Sequence, residues 1–503
     1  MNPKLLKSRI QNRLWGVAQR DPTIVSATLA GSFLDEPTLD GISDIDLIVV
    51  VDQLNAVHFE RLVAAFDDAL REELAAVGYG LRINPTLGPL KFNDPRTAVL
   101  HLMLYSHEAH VEHAIDSPFT CYDWQRSLAH CKRSLGEVFP VFNLQPNHFM
   151  GSRRSVSDYL HDFRAGVVSY RELDCSADGY REIKRTKSMN QRDRHEFAYH
   201  ILRFLMQNLV KLVRRANLSL GGAPLLAEYF LVFPDRETEI RRYFSALRTM
   251  KRSGDFAEPL DDLESGLRMF LEAFETQFRR TFVTQAKRHV AFRHGPTALN
   301  YDVSGDRVFL GRTDPPLLPV ASEAWKTLAA QVADVAPEAA FSSPMMRCRQ
   351  SCDALSEHGH MPGVECDDRL QEIDYGALEG LSVTQSRATH PELFAAWGRR
   401  EDPAFPGGEN TQAVARRAQA FAREHWRAEH CNSVTCTHNV VLRCLVGQAL
   451  GIVPDAWHRI DVPHLTPITF VSTRDFGLFV DIPPETARTM FRGFATPPKA
   501  KAA

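Results

Sequence analysis

Two stretches far apart in the chain carry residue types suited to handling phosphate. The first is Gly31-Ser32, followed by Asp44-Ile45-Asp46. Nucleotidyl transfer needs the triphosphate charge neutralised, and divalent ions held by carboxylates do this while clamping the attacking and leaving oxygens. Aspartates separated by one residue on a strand share a face, so Asp44 and Asp46 can reach one metal pair. Gly31 permits close backbone approach, and Ser32 offers a hydroxyl and an N–H to a phosphate. The second stretch is Arg293-His294-Gly295, with His438 following a strand-like run much later. A histidine nucleophile needs its attacking nitrogen neutral. The incoming phosphate needs fixed cations, and arginine is the best of these because its planar fork matches phosphate oxygens. A nearby acid must then protonate the leaving group.

The elements that must position these residues follow from hydrophobic spacing. Residues 5–20 have helical spacing, 23–29 read as a strand running into Gly31, and 46–51 form a continuous apolar strand of the kind found in buried sheets. An amphipathic helix over 55–77 and strands over 81–84 and 99–105 complete a small α/β unit that ends near residue 145. From 155 to 285 apolar residues recur at helical spacing, most clearly over 195–213, then over 237–250 and 258–282. Residues 176–190 are polar and basic and read as a loop. On the helix over 195–213, Glu196, His200 and Arg203 lie on neighbouring turns. They either line a cleft or are structural, with Glu196 and Arg203 solvated and His200 packed. From 288 the αβ alternation returns. Short strands over 290–292 and 433–437 feed Arg293 and His438, and helical segments cover 320–335, 344–357 and 410–429.

The pattern of apolar strand, Gly31-Ser32, turn-like spacer, Asp44-x-Asp46 and a second apolar strand resembles the nucleotidyltransferases of the DNA polymerase β-like superfamily over about residues 20–110. The resemblance implies a small mixed-sheet fold, Mg²⁺ or Mn²⁺ on Asp44 and Asp46, Gly31 and Ser32 on the substrate phosphates, and transfer from an NTP to a small-molecule acceptor. It also implies a helical domain that helps hold the acceptor, a role that 155–285 fit. The family usually has a third carboxylate on a later strand. Here the best strand offers His101 at that place, with Asp94 in a loop nearby, so either His101 replaces the acid as a ligand, another acid enters, or the site is weakened.

The second half holds an ordered series. After Arg293-His294-Gly295 come Asn300, Gly311-Arg312-Thr313-Asp314, Ser342-Ser343-Pro344 before Arg347 and Gln350, Glu372-Ile373-Asp374-Tyr375-Gly376, Pro406-Gly407-Gly408-Glu409, and Thr437-His438-Asn439. Over about 288–490 this series resembles the histidine phosphatase superfamily, with its phosphoglycerate mutase-like, three-layer α/β fold. The resemblance implies His294 as nucleophile, Arg293, Arg347 and His438 around the transferred phosphate, and Glu372 as proton donor. It places Asn300 and Arg312 where phosphate or substrate is contacted, with a structural ion pair as the alternative for Arg312, and it implies no cofactor. Glu409 reads as a residue that fixes a loop. Pro296 stands where an acid is usual, which alters the turn but removes no catalytic group. The Glu372 segment lacks the fuller mutase pattern, which favours a phosphatase.

Length and composition agree with several soluble domains. At 503 residues the chain exceeds one ordinary core, and domains of roughly 100–200 residues make three a fair expectation. The predicted architecture is a multidomain α/β chain: a nucleotidyltransferase domain over 1–150, a helical companion domain over 151–285 and a histidine phosphatase domain over 286–495. A net charge of −3 gives no global basic field for bulk nucleic acid. No apolar run reaches the ~18 residues of a membrane span. Nine cysteines without paired CxxC spacing read as reduced thiols in a cytoplasmic protein, with Cys436 and Cys444 buried. The expected activity is bifunctional, with both reactions in one biosynthetic pathway. The expected partners are an NTP, a small acceptor and a phosphorylated small molecule. The alternative is a phosphatase whose first domain is inactive and only binds nucleotide or regulates. The sequence does not fix the oligomeric state.

Overall fold

The computed structural model describes residues 3–35, 45–85, 96–151, 156–176, 179–253, 256, 260–300 and 305–495. The chain divides into two compact units. One comprises Met1–Leu144, His148–Ala273 and Pro497–Ala503, and the other comprises Gln145–Asn147 and Phe274–Thr496. The expected first and second domains therefore share the first unit as far as Ala273. No helix among the described residues is long and apolar enough to cross a membrane.

The first unit is built on a mixed sheet of order β3-β4-β2-β1-β5. Its strands are β1 (Ile24–Ala30), β2 (Ile45–Val51), β3 (Gly80–Asn84), β4 (Thr97–Ser106) and β5 (His130–Lys132). β2 runs parallel to β4 and β4 parallel to β3, while β1 is antiparallel to both β2 and β5. Every residue of β2 except Asp46 is buried, because both faces of the strand are covered. Leu47 and Val49 face the helices Pro3–Arg20 and Ala56–Ala75 through Leu6, Ile10, Leu14, Leu62, Phe66 and Leu70. Ile48 and Val50 face a smaller cluster with Met103, Tyr105, Leu135 and Val138. By the two-residue period of a strand, Asp46 lies on this second face.

The helix Gln191–Arg214 organises the rest of the unit. Asn190 and Asp193 form a capping box at its start, and Arg215 in the left-handed conformation ends it. Its apolar positions Phe197, Ile201, Leu202, Leu205 and Leu209 are buried. Two expectations for this region need correction. Most of the stretch 176–190 read as a loop is strand: β6 (Val167–Ser176) and β7 (Gly179–Ser188) pair as an antiparallel hairpin. Cross-strand ion pairs, Arg181 with Asp174 at 2.8 Å and Arg185 with Glu172 at 3.0 Å, support the ladder, while Val168 is buried and Leu173 packs against the core. Glu196 is not solvated. It is buried and accepts from Arg192 Nε at 2.9 Å. His200, as expected for the structural alternative, stacks on Phe204.

The helix Leu260–Arg279 passes through a π-turn, Arg280–Thr284, into β8 (Lys287–Arg293). The second unit's sheet has the order β10-β9-β11-β8-β12-β13. The other strands are β9 (Ala339–Ser342), β10 (Val364–Cys366), β11 (Ser433–Thr437), β12 (Pro467–Thr473) and β13 (Gly477–Asp481). β10, β9, β11 and β8 are parallel, while β12 is antiparallel to β8 and β13. Val290, Phe292, Val434 and Cys436 face the helices Ser322–Ala333 and Met346–Ser356 through Trp325, Leu328, Cys348 and Cys352. On the other face Phe341 meets Phe421 of the helix Thr411–His425. Both faces are covered, and the parallel strands end together at Arg293, Ser342 and Thr437. Open α/β sheets offer ligands a place at such carboxyl ends.

Candidate active site

β8 and β11 are in parallel register, with Thr437 opposite Arg293. The His294 N–H donates to the Thr437 carbonyl at 3.1 Å, so one more step of the ladder carries the chain past both strand ends. The register thereby sets His294 beside His438, their ring centroids 5.1 Å apart. His438 is the N-cap residue of the helix Asn439–Ala449.

The tautomer of His294 follows from its partners. Its Nδ1 lies 2.6 Å from the Gly295 carbonyl oxygen, which can only accept, so Nδ1 carries the proton. Nε2 then holds the lone pair and accepts from Arg347 Nε at 3.2 Å. Burial, with Arg347 and Arg293 adding to it, holds the ring well below the usual histidine range. The same causes, burial first, hold His438 well below that range. Both rings are neutral at physiological pH, as a nitrogen nucleophile requires.

Arg347 is fully buried. Its Nη2 donates to Gly311 O at 2.8 Å, and its Nη1 to Thr313 O at 2.7 Å and to Asp314 Oδ1 at 3.3 Å. A side chain at Gly311 is excluded, since a Cβ there would stand 2.1 Å from Ile373 O. Arg293 donates from Nη1 to Val462 O at 3.0 Å, while its buried Nε has no hydrogen-bond partner. A buried guanidinium N–H left open beside a neutral histidine is what an anion site offers before its anion arrives.

Glu372 is buried, with Oε1 accepting from Ile373 N at 3.0 Å and from Val440 N at 3.2 Å. Its segment is held from behind by Arg417, which donates to Glu372 O at 3.1 Å and to both Glu409 oxygens at 2.9 Å. Glu409 also accepts from Asp374 N at 3.0 Å, so it fixes two loops together. Arg312 Nη2 stands 3.5 Å from Glu409 Oε2, while its buried Nε has no hydrogen-bond partner. Asn300 ends the short turn Ala298–Asn300. Ser343, from the Ser342-Ser343-Pro344 stretch of the series, sets its Oγ 2.8 Å from His438 Nε2. Two residues join the site without having been singled out from the sequence: Ser351 Oγ accepts from Gly295 N at 3.0 Å, and His464 Nδ1 donates to His294 O at 2.7 Å. Ser351 follows Arg347 by one helical turn, which is a usable signal; His464 comes from a loop with no motif.

In the first unit, Asp46 and His101 are opposite one another on β2 and β4, with His101 Nδ1 3.0 Å from Asp46 Oδ1. Asn84 continues the same row on β3. Gly31 has φ +73°, and a Cβ there would fall 2.3 Å from Asp46 Oδ2. Ser32 heads the short helix Ser32–Asp35. Asp44 and Asp94 lie outside the described residues.

The buried histidines make a pH prediction. His289 bridges Ser433 Oγ and Ser472 Oγ at 2.9 and 3.0 Å, and burial pushes it down to about 3. His289, His294 and His438 thus stay neutral when folded but bind protons near pH 6.5 when unfolded. Their stabilisation is complete above pH 6.5 and is lost as pH falls below it. As pH falls, unfolding therefore takes up protons on these rings, and stability falls with pH. The urea midpoint of the second unit, followed in phosphate-free buffer from pH 7 to pH 5, is expected to fall steeply, and a flat midpoint would contradict the neutral rings.

Comparison with known proteins accords with this geometry. Residues 290–481 match the model of the histidine phosphatase superfamily (branch 1). The 2,3-bisphosphoglycerate-dependent phosphoglycerate mutase of Azorhizobium caulinodans is 32% identical over 191 residues, which are 36% of this chain and 90% of that protein. Phosphoserine phosphatase 1 of Hydrogenobacter thermophilus is 29% identical over 149 residues, 29% of this chain and 69% of that protein. The native structure of a mycobacterial glucosyl-3-phosphoglycerate phosphatase is 24% identical, covering 39% of this chain and 98% of its own, with a TM-score of 0.33. With a neutral histidine between two arginines at its strand ends and a relative matched over nearly its whole length, the chain belongs, through its second unit, to the histidine phosphatase superfamily.

Proposed function

We propose that the second unit hydrolyses a phosphomonoester of a small molecule through a phosphohistidine. The observation that carries the reading is the commitment of His294 Nδ1 to the Gly295 carbonyl, which leaves Nε2 unprotonated, its lone pair held by the buried Arg347 Nε at 3.2 Å. In the first step His294 Nε2 forms a bond to phosphorus as the ester P–O bond breaks. Glu372 gives its proton to the departing oxygen. In the second step water attacks the phosphohistidine, its proton passes to Glu372, the P–N bond breaks and neutral His294 is restored with release of phosphate. Arg293, Arg347 and His438 hold the phosphoryl oxygens, and Arg312 and Asn300 meet the phosphate or the rest of the substrate.

The reading makes leaving groups diagnostic. An alkyl phosphate needs the Glu372 proton, whereas p-nitrophenolate departs with little help. Glu372→Gln is expected to lower kcat for an alkyl phosphate by about 10²–10³-fold and for p-nitrophenyl phosphate much less. Equal losses on both substrates would remove Glu372 from the proton-donor role.

A second activity, nucleotidyl transfer from an NTP to a small-molecule acceptor, is proposed for the first unit. It is favoured by the apposition of Asp46 and His101 across β2 and β4, with Gly31 kept bare against the Asp46 carboxylate. Asp44, Asp46 and His101 would hold Mg²⁺ or Mn²⁺, which supplies charge neutralisation to a triphosphate. Among the described residues no three metal-ligating side chains form a group, and Asp44 lies outside them. His101 stands where the family's third carboxylate is expected, and Gly31 and Ser32 would meet the phosphates. Pyrophosphate release from an NTP with Mg²⁺, lost in Asp44→Ala/Asp46→Ala but not in His294→Ala, is the expected result. Wild-type protein that releases none with any of a pool of hydroxyl and amine acceptors would leave a first unit that binds nucleotide or regulates. The two activities together suit one biosynthetic pathway in the cytoplasm.

A further inference from the structure

The loop between the 3₁₀ turn Pro454–Arg459 and β12 meets Arg293 and the His294 carbonyl. Ile460 O accepts from Arg443 Nε at 2.6 Å and Val462 O from Arg293 Nη1 at 3.0 Å. Leu465 N donates to Arg293 O at 3.0 Å, and His464 Nδ1 donates to His294 O at 2.7 Å. The His464 ring is also 5.2 Å from that of His294, centroid to centroid. Leu465 adopts φ +57°, a conformation that L side chains rarely take. A leucine held there, between two hydrogen bonds to consecutive residues of the active strand end, marks a segment whose shape is dictated by what it grips.

We propose that His464 is a positioning residue, clipping the His294 carbonyl so that the nucleophile's Nε2 keeps its line to the phosphate. The inference rests on the phosphatase reading. The clip acts on the backbone of His294, not on the phosphate oxygens, so its loss misplaces the attacking nitrogen while Arg347 still binds the anion. A misplacement on the scale of 1 Å costs on the order of 10²-fold in rate. Asparagine at 464 keeps a side-chain N–H able to reach the same carbonyl, whereas alanine does not.

The test compares wild type, His464→Ala and His464→Asn. The expected result for His464→Ala is a fall of about 10–100-fold in kcat for p-nitrophenyl phosphate, with the affinity for inorganic phosphate changed less than about threefold. His464→Asn is expected to recover most of the loss. A kcat for His464→Ala within about twofold of wild type overturns the proposal. So does a joint loss of kcat and phosphate affinity that asparagine does not restore. If wild type neither turns over p-nitrophenyl phosphate nor forms phosphohistidine, the phosphatase reading fails, and the clip is judged separately by ¹⁵N spectra of the histidine rings. Displacement of the His294 ring signals in His464→Ala and their return in His464→Asn then support it, and unmoved His294 signals overturn it.

Discussion

His294→Ala is expected to lose p-nitrophenyl phosphate hydrolysis by about four orders of magnitude or more, because the variant removes the bond-forming atom. Among the described residues two rings approach that of His294, His438 at 5.1 Å and His464 at 5.2 Å between centroids. His438 Nε2 is engaged with Ser343 Oγ at 2.8 Å and stands 3.4 Å from Cys348 Sγ. His464 is turned through Nδ1 onto the His294 carbonyl. The residual rate of His294→Ala should carry no phosphoenzyme. Its affinity for inorganic phosphate should stay near that of wild type, since Arg293 and Arg347 remain. A variant that keeps a tenth of the wild-type kcat would contradict the nucleophilic role.

The second large effect is expected at Arg347, and the informative change is the conservative one. A lysine keeps the charge but presents a single nitrogen where the guanidinium makes separate bonds to Gly311 O, Thr313 O, Asp314 Oδ1 and His294 Nε2. Arg347 is fully buried, so carbonyls left open by the change find no water in its place. Arg347→Lys is therefore expected to lower kcat/KM for p-nitrophenyl phosphate by about 10²–10³-fold and to lower the urea midpoint as well. A lysine variant within tenfold of wild type would mean that charge alone, and not the fork, serves the phosphate.

The second site was legible because its chemistry sits in short motifs at the ends of parallel strands. Once β8 and β11 are read as neighbours, Arg293, His294 and His438 converge without further information. Arg347 opens the helix after β9 and is placed by the same logic. The residues that escaped the sequence reading reach the site by other routes. His464 comes from a loop whose path depends on a left-handed leucine, and Ser351 works through a backbone N–H. Arg417, which braces the Glu372 segment, lies on a helix whose apolar pattern gives no hint of a polar duty.

In the first unit the strands and helices followed from apolar spacing, and the register that sets Asp46 opposite His101 follows from pairing β2 with β4. The β6–β7 hairpin did not, because its strands are dense in charged residues that pair across the ladder. Glu196 was misread for a related reason. A carboxylate at a helical position is expected in solvent unless its partner is identified, and here Arg192 covers it.

The most direct measurement is to mix the protein with ³²P-labelled p-nitrophenyl phosphate, quench in alkali within one turnover and map the label by mass spectrometry. The account predicts an alkali-stable, acid-labile phosphoryl group on His294, attached at Nε2, and its absence from His294→Ala. Label on His438, label on an acid-stable residue, or steady hydrolysis with no labelled protein at any time would contradict it.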